Sequence, residues 1–193
     1  MREAKKAKVL EAAQASFLRY GYRRVTMGDI ASAAGLSRPA LYLHFCNKEN
    51  IFEAVLRAFM ARAIEEVRAG LQGHSSVEDQ LRFAFEVWAV RPFGLLTATP
   101  DAKELIDCRF EFAREAIDQG AQAFEAELAT ILAPLLAQTA SSGTGPQDVA
   151  RILTRAVQGF KQTATSPEDL RALIHGLLNL VLPSLAAGRA QGA

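Results

Sequence analysis

Cysteine is scarce in this chain. Cys46 and Cys108 are the only two in 193 residues, which excludes a disulfide-stapled scaffold and points to a reducing compartment, the cytoplasm. Histidine is nearly as rare: His44, His74 and His175 stand far apart, and neither cysteine has partners at zinc spacing. No Ser/His/Asp arrangement and no glycine-rich phosphate cradle occurs either. The chain therefore reads as neither an enzyme nor a metal protein, and no cofactor is expected. Long apolar runs are missing too. "LIHGLLNLVLPSLAA" comes nearest to a membrane span, and His175, Asn179 and Pro183 interrupt it, so no membrane partner is expected. The opening "MREAKKAKVLEAAQ" is charged and amphipathic, without the apolar centre of a secretory signal. Period-two alternation is absent as well, which leaves no strands to expect.

A net charge is also lacking at first sight, since the whole chain sums to +1. Divided near residue 52, the charge separates. Nine basic residues stand against four acidic ones up to Phe52, a balance of +5, and thirteen against seventeen in the remainder. A small basic head on a mildly acidic body suggests a head that meets a polyanion, the alternative being an uneven solvated surface. The expected division is 1–52 and 53–193.

What is present is apolar spacing of three and four from end to end, so an all-α fold is expected. Val9, Leu10, Ala13, Phe17 and Leu18 give a first helix from Glu3 to Tyr20 that stops at Gly21. Thr26 with Asp29 forms a capping box for a second helix, which Gly35 ends. Ser37 caps a third through the Ala40 amide, because Pro39 has no N–H to offer. Asn47-Lys48-Glu49 opens a long fourth helix to about Leu71. Ser76 with Asp79 opens a fifth that reaches Val90, where Arg91-Pro92-Phe93-Gly94 is expected to end it. A short helix near Asp101–Ile106, a tract from Cys108 to Gln138 with a kink at Pro134, and helices over Asp148–Thr163 and Ser166–Ala187 complete the chain.

Two short helices joined by a Gly-containing turn, with a third packed behind, are the parts of a helix-turn-helix. Ile30, Ala31, Ala34, Leu36, Leu41 and Phe45 supply its apolar faces. Here "TMGDIASAAGLSRPALYLHFCNKENIF", preceded by "VLEAAQASFLRYGYRRVT", resembles the DNA-binding signature of the TetR family of bacterial transcriptional repressors over about residues 9 to 52. The resemblance implies an N-terminal three-helix DNA-binding domain and a C-terminal helical bundle that binds a small-molecule effector and forms a homodimer. It implies double-stranded operator DNA as partner, hence a nucleoid-associated cytoplasmic protein. It also implies that Thr26, Ser37, Tyr42 and Lys48 hold phosphates while Arg38, Pro39, Ala40 and His44 lie along the groove.

The residues themselves leave alternatives. Arg38 suits a bidentate contact to guanine or a phosphate, while Pro39 and Ala40 can at most touch a thymine methyl. Tyr42 offers a phosphate-reaching hydroxyl or a core ring, and His44 a charged contact or a helix-end filler. Lys48, at the start of the fourth helix, is expected on the DNA backbone, and Arg2, Lys5, Lys6 and Lys8 suit a salt-sensitive arm. Cys46 departs from the family pattern, with nothing beside it to activate its thiol.

In the body, Phe83, Phe85, Trp88, Phe93, Phe110, Phe112, Phe124 and Phe160 read mostly as bundle core. Trp88, Phe93, Phe110 and Phe124 are expected to line a cavity for a largely apolar effector, with Arg91, Cys108, Arg109 and His175 at its edge. A broad stripe of Leu173, Ile174, Leu177, Leu178, Val181 and Leu182 suits either a dimer contact through the last two helices or core within one subunit.

Overall fold

The structure is a computed structural model that describes residues 2–98, 111–137 and 144–187. Among these there is helix and no strand. In order come α1 (Arg2–Arg24), α2 (Met27–Ala33), α3 (Arg38–Tyr42), α4 (Lys48–Gly70), a 3-10 turn (Leu71–Gly73), α5 (Val77–Phe85), a π turn (Glu86–Val90), α6 (Arg91–Thr97), a second 3-10 turn (Glu111–Ala113), α7 (Arg114–Leu136), α8 (Pro146–Thr163) and α9 (Pro167–Ala187). Cys108, Arg109, Phe110 and the short helix expected at 101–106 lie outside the described residues. No described helix is long and apolar enough to cross a membrane.

The chain forms two compact units, Met1–Ala61 with Leu95–Gly120, and Arg62–Gly94 with Ala121–Ala193. The boundary expected at residue 52 falls inside α4, whose stretch through Ala61 belongs with the first unit. The core of that unit gathers Val9, Ala13 and Phe17 of α1, Tyr22 and Val25 near its end, Ile30 and Ala31 of α2, Leu41 of α3, and Ile51, Phe52 and Val55 of α4. Phe112 joins the same core. Its ring lies 5.7 Å from Tyr22 and 5.9 Å from Phe52, so this aromatic belongs with the head and not with the body bundle that its place in the sequence suggests.

Local chemistry explains the short helices of the head. Gly21 takes φ 74° and breaks the regular course of α1 near its end, at the stop that the sequence predicts. Gly35 takes φ 67°, a conformation that favours a residue without Cβ, and so turns the chain between α2 and α3 within four residues.

One helix differs from expectation. Arg91-Pro92-Phe93-Gly94 does not end α5, because a π turn carries the helix on into α6. The Arg91 amide reaches back to the Glu86 carbonyl, and Pro92, which has no amide to contribute, enters at the first turn after it, where its missing donor does least harm. In the second unit, α9 packs against α5, the π turn and α8. Leu170, Ile174 and Leu178 of α9 and Val149, Leu153 and Val157 of α8 face its interior.

Candidate nucleic-acid interface

The interface is built on three capped helix starts. At α2 the Thr26 hydroxyl accepts from the Asp29 amide (3.2 Å) and donates to the Asp29 carboxylate (2.7 Å), which also accepts from the Thr26 amide (2.9 Å). These Thr26 bonds hold the Asp29 carboxyl below its usual range, with a smaller contribution from Arg38. Thr26 Oγ1 is thus committed to the cap, although it stays exposed. At α3 the Ser37 hydroxyl accepts from the Ala40 amide (3.3 Å), and Pro39 stands in the first turn. At α4 the Asn47 side chain accepts from the Asn50 amide (2.8 Å).

Around these starts the sequence-predicted residues divide. Ser37, Arg38, Pro39 and Tyr42 are exposed, and Ala40 and His44 are half-buried. Tyr42 keeps 51% of its surface, so its ring is not core. Arg38 lies back over the start of α2, where a Cβ on Gly28 would stand 3.3 Å from its Nε. Glycine at 28 gives the guanidinium that room. His44 turns its Nδ1 inward, where no described residue hydrogen-bonds to it.

Lys48 departs from the role the resemblance implies. Its ammonium donates to the carbonyls of Tyr22 (2.7 Å), Val25 (2.8 Å) and Arg23 (3.3 Å), and it sits 4.3 Å from the centre of the Tyr22 ring. Three protons meet three acceptors at the carbonyl end of α1, where a cation also suits the helix dipole. Burial, and secondarily the Glu49 carboxylate, push the Tyr22 phenol up to about 12, so the ring beneath stays neutral. Lys48 thereby ties the start of α4 to the end of α1.

Leu43 is not among the residues that the resemblance implies, yet it stands out here: it keeps 76% of its surface. Its amide still bonds to the Pro39 carbonyl (3.3 Å), so it continues the turn of α3. The sequence carries a signal for it, since Leu43 follows Pro39 by four residues and so shares its face. The ordinary expectation that an apolar residue points inward masks that signal.

The first 52 residues are therefore a basic segment that stands one short helix on another. Residues 9–55 match the family described as bacterial regulatory proteins, tetR family. The head thus carries a tetR-family DNA-binding region. Among curated relatives, the HTH-type transcriptional activator FasR of Mycolicibacterium smegmatis is 33% identical over 87 residues, 45% of this chain and 40% of that protein. The HTH-type transcriptional repressor KstR2 of Rhodococcus jostii is 30% identical over 119 residues, 59% of this chain and 58% of that protein. The chain thus spans less than two thirds of the length of either relative. The crystal structure of the transcriptional regulator FadR from Bacillus subtilis in complex with stearoyl-CoA superposes with a TM-score of 0.62, covering 94% of this chain and 98% of that one. At 19% identity that likeness is one of fold.

In the body the predicted effector residues do not all converge. Trp88 and Phe124 stack face to face, with centroids 4.5 Å apart and planes 7° off parallel, and Phe85 meets Phe124 edge-on at 5.6 Å. Phe93 is buried on α6. His175 lies in a polar seam between α5 and α9. There Arg171 grips Glu86 through two bonds of 2.9 Å, and Arg82 bridges Glu78 and the Asn179 side chain (2.9 Å to the latter). Burial first, then Arg82 and Arg171, hold the His175 imidazole below its ordinary value, against weaker opposite pulls from Glu86 and Glu78. Cys108 and Phe110 lie outside the described residues.

Proposed function

We propose that the chain is a ligand-responsive transcriptional repressor that binds a quasi-palindromic operator as a dimer and lets it go when a small, largely apolar effector binds the body. The observation that carries this reading is the capped α3, raised on α2 in a segment, residues 1–52, of net charge +5, with Arg38, Pro39 and Tyr42 exposed. A major groove admits one helix, Arg38 suits guanine, and phosphates suit Ser37 and Tyr42. Thr26, exposed, and His44, half-buried, belong to the same proposed set. DNA reading is assigned to residues 1–52, and effector binding and dimerisation to 53–193.

Dimerisation through α8 and α9 is supported by apolar surface that one subunit leaves uncovered, with Ile152 57% and Leu180 76% exposed. Two recognition helices related by a two-fold axis would then occupy successive half-sites, one helical turn of DNA apart. For the effector, the Trp88–Phe124 stack with Phe85 beside it favours an apolar or aromatic ligand. The Bacillus subtilis neighbour was crystallised with stearoyl-CoA, which agrees in kind. A DNA-bound repressor acts in the cytoplasm, at the nucleoid. Activation from the same fold is the second reading, since the relative FasR carries the name of an activator.

The test is selection of bound fragments from a random DNA pool by the purified protein at low salt. Enrichment of a sequence with two-fold symmetry supports a dimeric regulator. Salt-insensitive binding, or no enriched sequence, defeats the reading.

A further inference from the structure

Outside the set of DNA-facing residues just named, the most exposed large apolar side chain among the described residues of the head is Leu43. Its position on α3 is not arbitrary. Leu41 and Phe45, four residues apart, are buried against the core of the first unit. Leu43 is offset from both by two residues, about 200° around a helix of 3.6 residues per turn, and therefore points away from that core. Pro39, four residues before it, shares the direction and is also exposed. The helical bond from the Leu43 amide to the Pro39 carbonyl shows that this counting holds to the end of the turn.

The outward face of α3 is thus an apolar ridge of Pro39 and Leu43, with Arg38 and Tyr42 to one side of it. A ridge without hydrogen-bonding atoms reads little of a base edge, save one group. The thymine C5-methyl is the apolar feature that the major groove offers. The head's charge of +5 suits DNA far better than an apolar protein partner.

We propose that Leu43 reads a thymine methyl at one position of each operator half-site. This rests on the repressor reading above and adds to it a specificity-determining residue. The ridge then discriminates by contact with a methyl, beside the guanine that Arg38 suits.

The test uses DNA that the protein itself enriches from a random pool, with each thymidine replaced singly by deoxyuridine, which removes the methyl and leaves the hydrogen-bonding edge unchanged. Binding is followed by fluorescence anisotropy for the wild-type chain, Leu43→Ala and Leu43→Met. At one thymine per half-site the wild type should lose about 4-fold in affinity, the value of one buried methyl-sized group. Leu43→Ala should bind thymine and uracil DNA alike at that position, and Leu43→Met should keep most of the preference. Thermal melting of Leu43→Ala should match the wild type, because the side chain is exposed. Deoxyuridine without effect at every thymine, or an equal loss in wild type and Leu43→Ala, overturns the assignment while leaving a specific DNA binder standing. Failure to enrich any sequence overturns the repressor reading itself, and the proposal with it.

Discussion

At the scale of single residues, Lys48 shows how a side chain's place can be read from the sequence while its partners cannot. Its position at the start of α4 was legible, because Asn47-Lys48-Glu49 announces a helix. Its acceptors were not, because they are backbone carbonyls more than twenty residues earlier in the chain, and a carbonyl leaves no mark on a sequence. Replacing Lys48 by methionine keeps the stem and removes the three bonds. We expect a stability loss of about 2 kcal/mol, the usual worth of a charged hydrogen-bonding group in a half-buried site. Weaker operator binding should follow, with the slope of log affinity against log salt unchanged. Denaturant melts and binding at several salt concentrations check this. A slope smaller by about one, with melting unaffected, would return Lys48 to the phosphates.

At the scale of elements, the head was legible because its boundaries are written in side chains that act locally. Thr26 with Asp29, and Ser37 with Ala40, form within the spacing that the sequence displays. The turn between α2 and α3 depends on Gly35 in a left-handed conformation. Gly35→Ala should therefore lower stability by about 1–2 kcal/mol and weaken DNA binding, since α3 would be presented at a different angle. Circular dichroism melts and anisotropy measure the two effects. The seam between α5 and α9 makes a prediction about pH. His175 in the folded chain lies below its ordinary value of 6.5, so the unfolded chain takes up the proton more readily. The stability that a neutral His175 contributes is complete above pH 6.5 and is lost as pH falls from there toward the folded value. The loss should stay under about 1 kcal/mol, because solvent screens this partly exposed seam. His175→Gln should flatten the dependence of stability on pH on the acid side of neutrality, leaving the acid losses from Glu86 and Asp29, whose carboxyls are held low, to begin further down. An unchanged slope in His175→Gln would assign the pH dependence elsewhere.

At the scale of the molecule, the all-α class followed from apolar spacing, but the membership of each unit did not. Phe112 sits among body aromatics in the sequence and among Tyr22 and Phe52 in space, a return over a distance that no local pattern encodes. The same holds for the effector residues: Trp88 and Phe124 meet, whereas His175 feels the charges of Arg82, Arg171 and Glu86. The stripe on α9 was readable as apolar, and the structure divides it. Ile174, Leu178 and Leu182 are buried and Leu173, Leu177 and Val181 half-buried, while Leu180, outside the stripe, is exposed, as is Ile152 of α8. If that uncovered surface is where two copies meet, Ile152→Glu with Leu180→Glu should convert dimer to monomer at micromolar concentration by sedimentation or light scattering. Operator affinity should fall by about 100-fold or more as the second half-site is lost, and each monomer should stay folded because both positions are exposed. A double variant that remains dimeric places the two-fold contact on another face.

The π turn at Glu86–Val90 gives the helix one residue more than an α-helix of that length would hold. Buried positions fall at Leu81, Ala84 and Phe85 before it and at Val87, Ala89, Val90 and Phe93 within and after it. A single-codon insertion in a helix ordinarily swings every later side chain by about 100°. Here the widened turn takes up the extra residue on the spot, so the frame of the downstream face survives and Trp88 is left jutting from it, free to acquire a partner of its own.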